Sequence, residues 1–141
     1  MKFLVFSAVL CTLVVASTAQ SFKSPAILQM QGALGNMLSV VRDMSIANKA
    51  LMINSEDQEM LATAFTALEE LYNLFPTFGS ANSSTLPLAT RTKLNNAFSN
   101  LQNAVAGWES AMDQRNPDNL ATTFKAIENA FLSFAGVVFT L

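Results

Sequence analysis

The stretch LATTFKAIENAFLSF, residues 120–134, sets Leu120, Phe124, Ile127, Phe131 and Phe134 on alternating steps of four and three. Side chains at those spacings share one face of an α-helix, so the segment reads as amphipathic helix with a single apolar stripe. Three of the five stripe residues are phenylalanine. So bulky a face must cover something: other side chains, a bound apolar molecule or a partner protein.

The same pattern occurs twice more. LATAFTALEELYNLF from residue 61 and LNNAFSNLQNAVAGW from residue 94 also carry Leu, then Phe four residues on, Leu or Ile at the seventh, and an aromatic at the fourteenth. The three units start 33 and 26 residues apart, which excludes a fixed-period solenoid. Convergence on a heptad stripe and duplication of one helix both account for the likeness.

Start and stop signals predict four helices over 25–53, 56–75, 87–114 and 117–139. Ser24-Pro25 and Asn116-Pro117 each pair a capping side chain with a proline whose missing N–H costs nothing in a first turn. Ser55 with Gln58 has capping-box spacing, and Glu56, Asp57 and Glu59 complement the positive end of a helix dipole. Pro76 is expected to stop the second helix. Ser84 or Thr85 is the expected cap of the third. In the first helix Ile27, Met30, Leu34, Met37, Val41, Met44 and Leu51 keep the rhythm, with Asn48 interrupting it. Gly32 and Gly35 weaken that helix but would let a neighbouring backbone come close. In the second, the expected stripe is Leu61, Phe65, Leu68, Tyr72 and Phe75. Four such helices predict an all-α fold, a single four-helix bundle running up-down-up-down.

The opening MKFLVFSAVLCTLVVASTAQ has a basic Lys2, an apolar run of 13 residues over 3–15, and small residues Ser17 and Ala19 before a cleavage point. It reads as a secretory signal peptide over 1–19, since spanning a bilayer takes roughly 20 apolar residues. Cleavage would leave one domain over 20–141, and would remove Cys11, the only cysteine. A secreted, extracellular domain without a disulfide has to be held by packing alone. Without Lys2, seven basic residues face ten acidic ones, a net charge of −3. With no basic face, the electrostatic term that dominates nucleic-acid binding is missing.

Chemistry has few candidates. The chain contains no histidine and no cysteine outside the leader, so the commonest general base, the strongest nucleophile and the usual zinc ligands are lacking. Glu69 and Glu70 are adjacent and diverge by about 100° on a helix. The expectation is a non-enzyme with no metal and no cofactor. Asn82-Ser83-Ser84 is a single N-glycosylation sequon, in the polar loop that follows Pro76.

The remaining signal is aromatic and methionine content. Met30, Met37 and Met44 stack along one seam of the first helix, opposite phenylalanines of the others. One reading is a packed core, in which small residues (Gly32, Gly35, Ala64, Ala97, Ala104, Gly107, Ala130) leave holes that rings fill. The other is a cavity walled by rings and adaptable methionines. On the second reading the protein carries or sequesters an apolar small molecule or lipid, lined by Met37, Met44, Phe65, Phe98, Trp108, Phe124 and Phe131. Asn48, Tyr72 and the Trp108 indole N–H are then candidates for orienting a polar head group. The alternative is an extracellular interaction or self-associating structural protein without a small ligand. Its interface would be the C-terminal run FLSFAGVVFTL, with Leu132, Val137, Phe139 and Leu141.

Overall fold

A computed structural model describes residues 24–80 and 86–141. The signal segment, the Asn82 sequon and the expected caps Ser84 and Thr85 lie outside the described residues. The described chain is all-helical, with no strand: α1 (Pro25–Ile53), α2 (Gln58–Ser80), α3 (Leu88–Asp113) and α4 (Pro117–Phe139). None of these helices is long and apolar enough to cross a membrane.

Side chains at the helix ends explain most of the boundaries. Ser24 Oγ accepts the Ile27 N–H at 3.3 Å, and Asn116 Oδ1 accepts from Asp118 and Asn119 at 3.1 and 3.4 Å. The start of α2 differs from the expected Ser55 capping box. Asn54 Oδ1 takes the Glu56 N–H and turns the chain, so the cap passes to Asp57, whose carboxylate accepts the Met60 N–H at 3.1 Å. At the end of α3, Arg115 adopts φ 54°, and the N–H groups of Arg115 and Asn116 return to the carbonyls of Met112 and Ala111. This left-handed cap satisfies two terminal carbonyls. At Leu88 no side chain caps α3.

Pro76 does not end α2, which runs on to Ser80. A proline inside a helix costs about 3 kcal/mol. Two features limit the damage. Pro76, Tyr72 and Asn73 are exposed, so the Tyr72 carbonyl that loses its donor is on a wet face. Beyond the proline, Phe78 is 2% exposed, and its burial offsets roughly 1.5–3 kcal/mol.

The α4 stripe is entirely inside: Leu120, Phe124, Ile127, Phe131 and Phe134 are all buried. They meet Leu94, Leu101, Val105 and Trp108 of α3 and the Met30–Leu34–Met37–Val41–Met44 seam of α1 in one common core. The α2 face is rotated from the expected stripe. Ala64, Ala67, Leu71 and Phe78 are buried with Leu61, Leu68 and Phe75, while Phe65 and Tyr72 are 39% and 38% exposed. Small Ala64 and Ala67 let α2 lie close on α1, which turns the larger rings to the edge.

The small-residue reading fails for the first helix. Gly32 and Gly35 are exposed, and a Cβ on either would meet nothing within 4 Å. They admit no neighbouring backbone and leave no hole for a ring. At Gly107 the nearest atom to such a Cβ is Thr123 Cγ2, at 3.9 Å.

Close backbone approach runs along three helix pairs: α1 with α2, α1 with α4, and α3 with α4. Gln31 Nε2 donates to the Val138 carbonyl at 3.3 Å, tying the start of α1 to the end of α4. Helices α2 and α3 meet differently, through long side chains. Phe75 and Phe78 both reach Phe98, with ring centroids 5.3 and 6.0 Å apart. Among the described residues the one ion pair is Arg115–Glu56 at 3.8 Å, exposed and worth at most about 1 kcal/mol. Apolar packing therefore carries the stability.

Candidate functional site

The core has two ends of different chemistry. At the first, Trp108 of α3 is fully buried, stacks edge-on against Phe124 of α4 at 5.6 Å, and donates its indole N–H to Asn48 Oδ1 at 2.8 Å. Asn48 is the residue that breaks the α1 heptad, and it is itself only 5% exposed. Tryptophan can only donate. Asn48 must therefore turn its carbonyl oxygen to the ring and its amide NH₂ the other way, where it meets only Met52 Sδ at 3.5 Å. Asn48 and Trp108 are thus partners of each other, and the indole N–H is already used.

At the other end, Phe78, Phe98 and Phe134 form a triangle of rings from α2, α3 and α4, with centroids 4.9 to 6.0 Å apart. Phe75 and Tyr72 extend it outward along α2. The Tyr72 hydroxyl donates to Glu109 Oε2 of α3 at 2.7 Å, bridging the two helices. Burial first, and then the bond to the Glu109 carboxylate and its charge, push the Tyr72 hydroxyl up to about 12.

The seven residues named from sequence as a lining separate into two groups. Met37, Met44, Trp108, Phe124 and Phe131 are buried in the packed interior. Phe98 is half-buried at the α2–α3 boundary. Phe65 is on the outside, two turns before Tyr72 on the same face of α2. Tyr72 and Phe65 therefore mark the rim of that boundary. Phe78 and Phe134 complete the ring cluster; Phe134 belonged to the α4 stripe, but Phe78 was hidden behind an expected helix stop.

Among the described residues, the clefts are surface grooves between neighbouring helices. Of the seven residues, Phe124 lines a groove of about 580 Å³ between α1 and α4. A second, of about 550 Å³ between α3 and α4, is lined by asparagine, serine and alanine. The C-terminal run is not the free patch it would be as an interface: Phe139 is 7% exposed, and Leu132, Val137 and Leu141 are half-buried against the core. No three acidic side chains among the described residues converge as metal ligands. Comparison with protein-family models, curated proteins and solved structures finds no match to this chain.

Proposed function

We propose that the chain is a secreted protein whose signal peptide over 1–19 is removed. Its four helices form an up-down-up-down bundle that carries or sequesters an apolar small molecule or lipid. It acts by binding, without catalysis, metal or cofactor. The observation that supports this reading is the boundary between α2 and α3. There the backbones stay apart, the contact is made by Phe75, Phe78 and Phe98, and the rim exposes Phe65 and Tyr72. Most of what these rings gain is non-directional burial, which ligand carbons can replace, at a loss of about 0.5–1.5 kcal/mol for each ring pair parted. The Tyr72–Glu109 hydrogen bond spans the boundary. The alternative of self-association through the C-terminal helix has little free apolar surface to use there.

The test is native mass spectrometry of the secreted mature protein before and after lipid extraction. A mass excess of a few hundred daltons, lost on extraction and regained with a defined lipid, is the expected result. A second arm joins α2 to α3 through Tyr72→Cys and Glu109→Cys bridged by a short bismaleimide. Bridging should block reloading of the extracted protein. A bare polypeptide that takes up no added lipid would sink the proposal.

A further inference from the structure

We infer that the groove between the end of α1 and the start of α4 is a binding site for one monomeric medium-chain carboxylate. This rests on observations separate from the α2–α3 boundary and does not require that boundary to open.

Small residues on both helices, Ser45 on α1 and Ala121 and Ala126 on α4, line the groove, where bulkier ones would narrow it. Its volume of about 580 Å³ suits a small ligand. Its apolar lining includes the buried Phe124 and the exposed Met52. From Ser45 to Met52 it follows α1 for about 10 Å, at 1.5 Å per residue. That length matches a medium acyl chain better than a long one.

What sets this groove apart is an excess of unused donors. Lys49 and Lys125 line it from opposite helices, and neither is in an ion pair. They are two of only eight basic residues in a chain of net charge −2. Ser45, 5% exposed, lines the groove with its hydroxyl. The Asn48 NH₂, forced away from Trp108, has only a thioether to meet. A hydroxyl, an amide and two ammonium groups, none of them held by a protein carboxylate, line one groove where a single anion can replace water.

Glu128 is the only acidic group lining the groove. Against the two lysines it leaves the lining one positive charge in excess, which suits a single carboxylate better than a polyanion. An anionic bilayer is a poor fit for the same reason, because surface attraction to membranes needs a cluster of basic residues.

The experiment is calorimetric titration of the secreted mature protein with decanoate, decanol, sodium phosphate and anionic vesicles. Fluorescence of Trp108, the single tryptophan, is followed in parallel, since its partner Asn48 lines the groove. One decanoate per chain should bind, with decanol at least tenfold weaker. Lys49→Gln and Lys125→Gln, both on exposed side chains, should each weaken decanoate about fivefold, the scale of a surface charge contact. Bridging positions 72 and 109 should leave decanoate binding unchanged, which separates this site from uptake through the α2–α3 boundary. Equal affinity for decanol, unchanged affinity in the double lysine variant, competition by phosphate at equal concentration, or binding to vesicles alone would each overturn the assignment.

Discussion

Replacing both members of the Asn48–Trp108 pair should cost clearly less than the sum of replacing each alone. In Asn48→Ala the indole N–H stays fully buried with no acceptor, a loss of about 1–3 kcal/mol, and the shortened side chain leaves a small void. In Trp108→Phe the Asn48 carbonyl oxygen is stranded instead, and the smaller ring opens a cavity among Phe124 and its neighbours, for a total of about 3 kcal/mol. The double variant Asn48→Ala/Trp108→Phe strands neither the indole N–H nor the Asn48 carbonyl oxygen. It should be more stable than the sum of the single losses by about 2 kcal/mol. Urea unfolding followed by far-ultraviolet circular dichroism measures all of these, a readout that survives loss of the only tryptophan. With m near 2 kcal/mol/M, a loss of 2 kcal/mol lowers the midpoint by about 1 M. Single variants that shift the midpoint by less than about 0.3 M, or losses that simply add, would refute the idea that this bond is a buried, mutually obligatory pair.

Three other outcomes follow from the same geometry. Gly32→Ala and Gly35→Ala should each raise stability by about 0.5–1 kcal/mol, because both sites are exposed, helical and clear of neighbours; a loss in urea unfolding would mean that something occupies that face. Asn116→Ala removes the acceptor of two N–H groups at the start of α4 and should cost about 1 kcal/mol, with the thermal midpoint as the check. The single tyrosine should ionise near pH 12 in absorbance at 295 nm. Its raised value means that the Tyr72 contribution is complete below pH 10 and is lost as the pH climbs through 12, and Tyr72→Phe should remove this alkaline step.

How far the sequence reveals the fold depends on which helix is read. In α4 no other face competes: the residues at steps of four and three are the large apolar ones, and all of them are inside. In α2 two faces satisfy the same spacing. Leu61, Phe65, Leu68, Tyr72 and Phe75 are one; Leu61, Ala64, Leu68, Leu71, Phe75 and Phe78 are the other. Ring size favours the first, but close approach to α1 selects the second, and that depends on a neighbour no local pattern contains. Pro76 has a similar explanation, since the gain from burying Phe78 lies beyond the residue that the local signal marks as a helix stop. Asn48 was visible as a break in the heptad, but its partner lies 60 residues away in sequence. Lys49 and Lys125 were not legible as a pair at all, because only the packing of α1 on α4 puts them in one groove.

The two ends of the core also differ in what it would take to part them. Separating helices at the Trp108 end breaks a buried hydrogen bond, and an apolar guest offers nothing to replace it, so the stranded donor and acceptor each cost about 1–3 kcal/mol. Separating them at the Phe78–Phe98–Phe134 end exposes rings, and each edge-to-face contact is worth about 0.5–1.5 kcal/mol beyond burial. A guest made of carbon restores both the burial and most of the ring contact. An apolar ligand therefore stabilises an opening at the phenylalanine end and leaves one at the tryptophan end uncompensated. On this argument Phe98→Ala, which enlarges the space at the compensated end, should increase lipid uptake while lowering stability. Asn48→Leu should lower stability without any such gain.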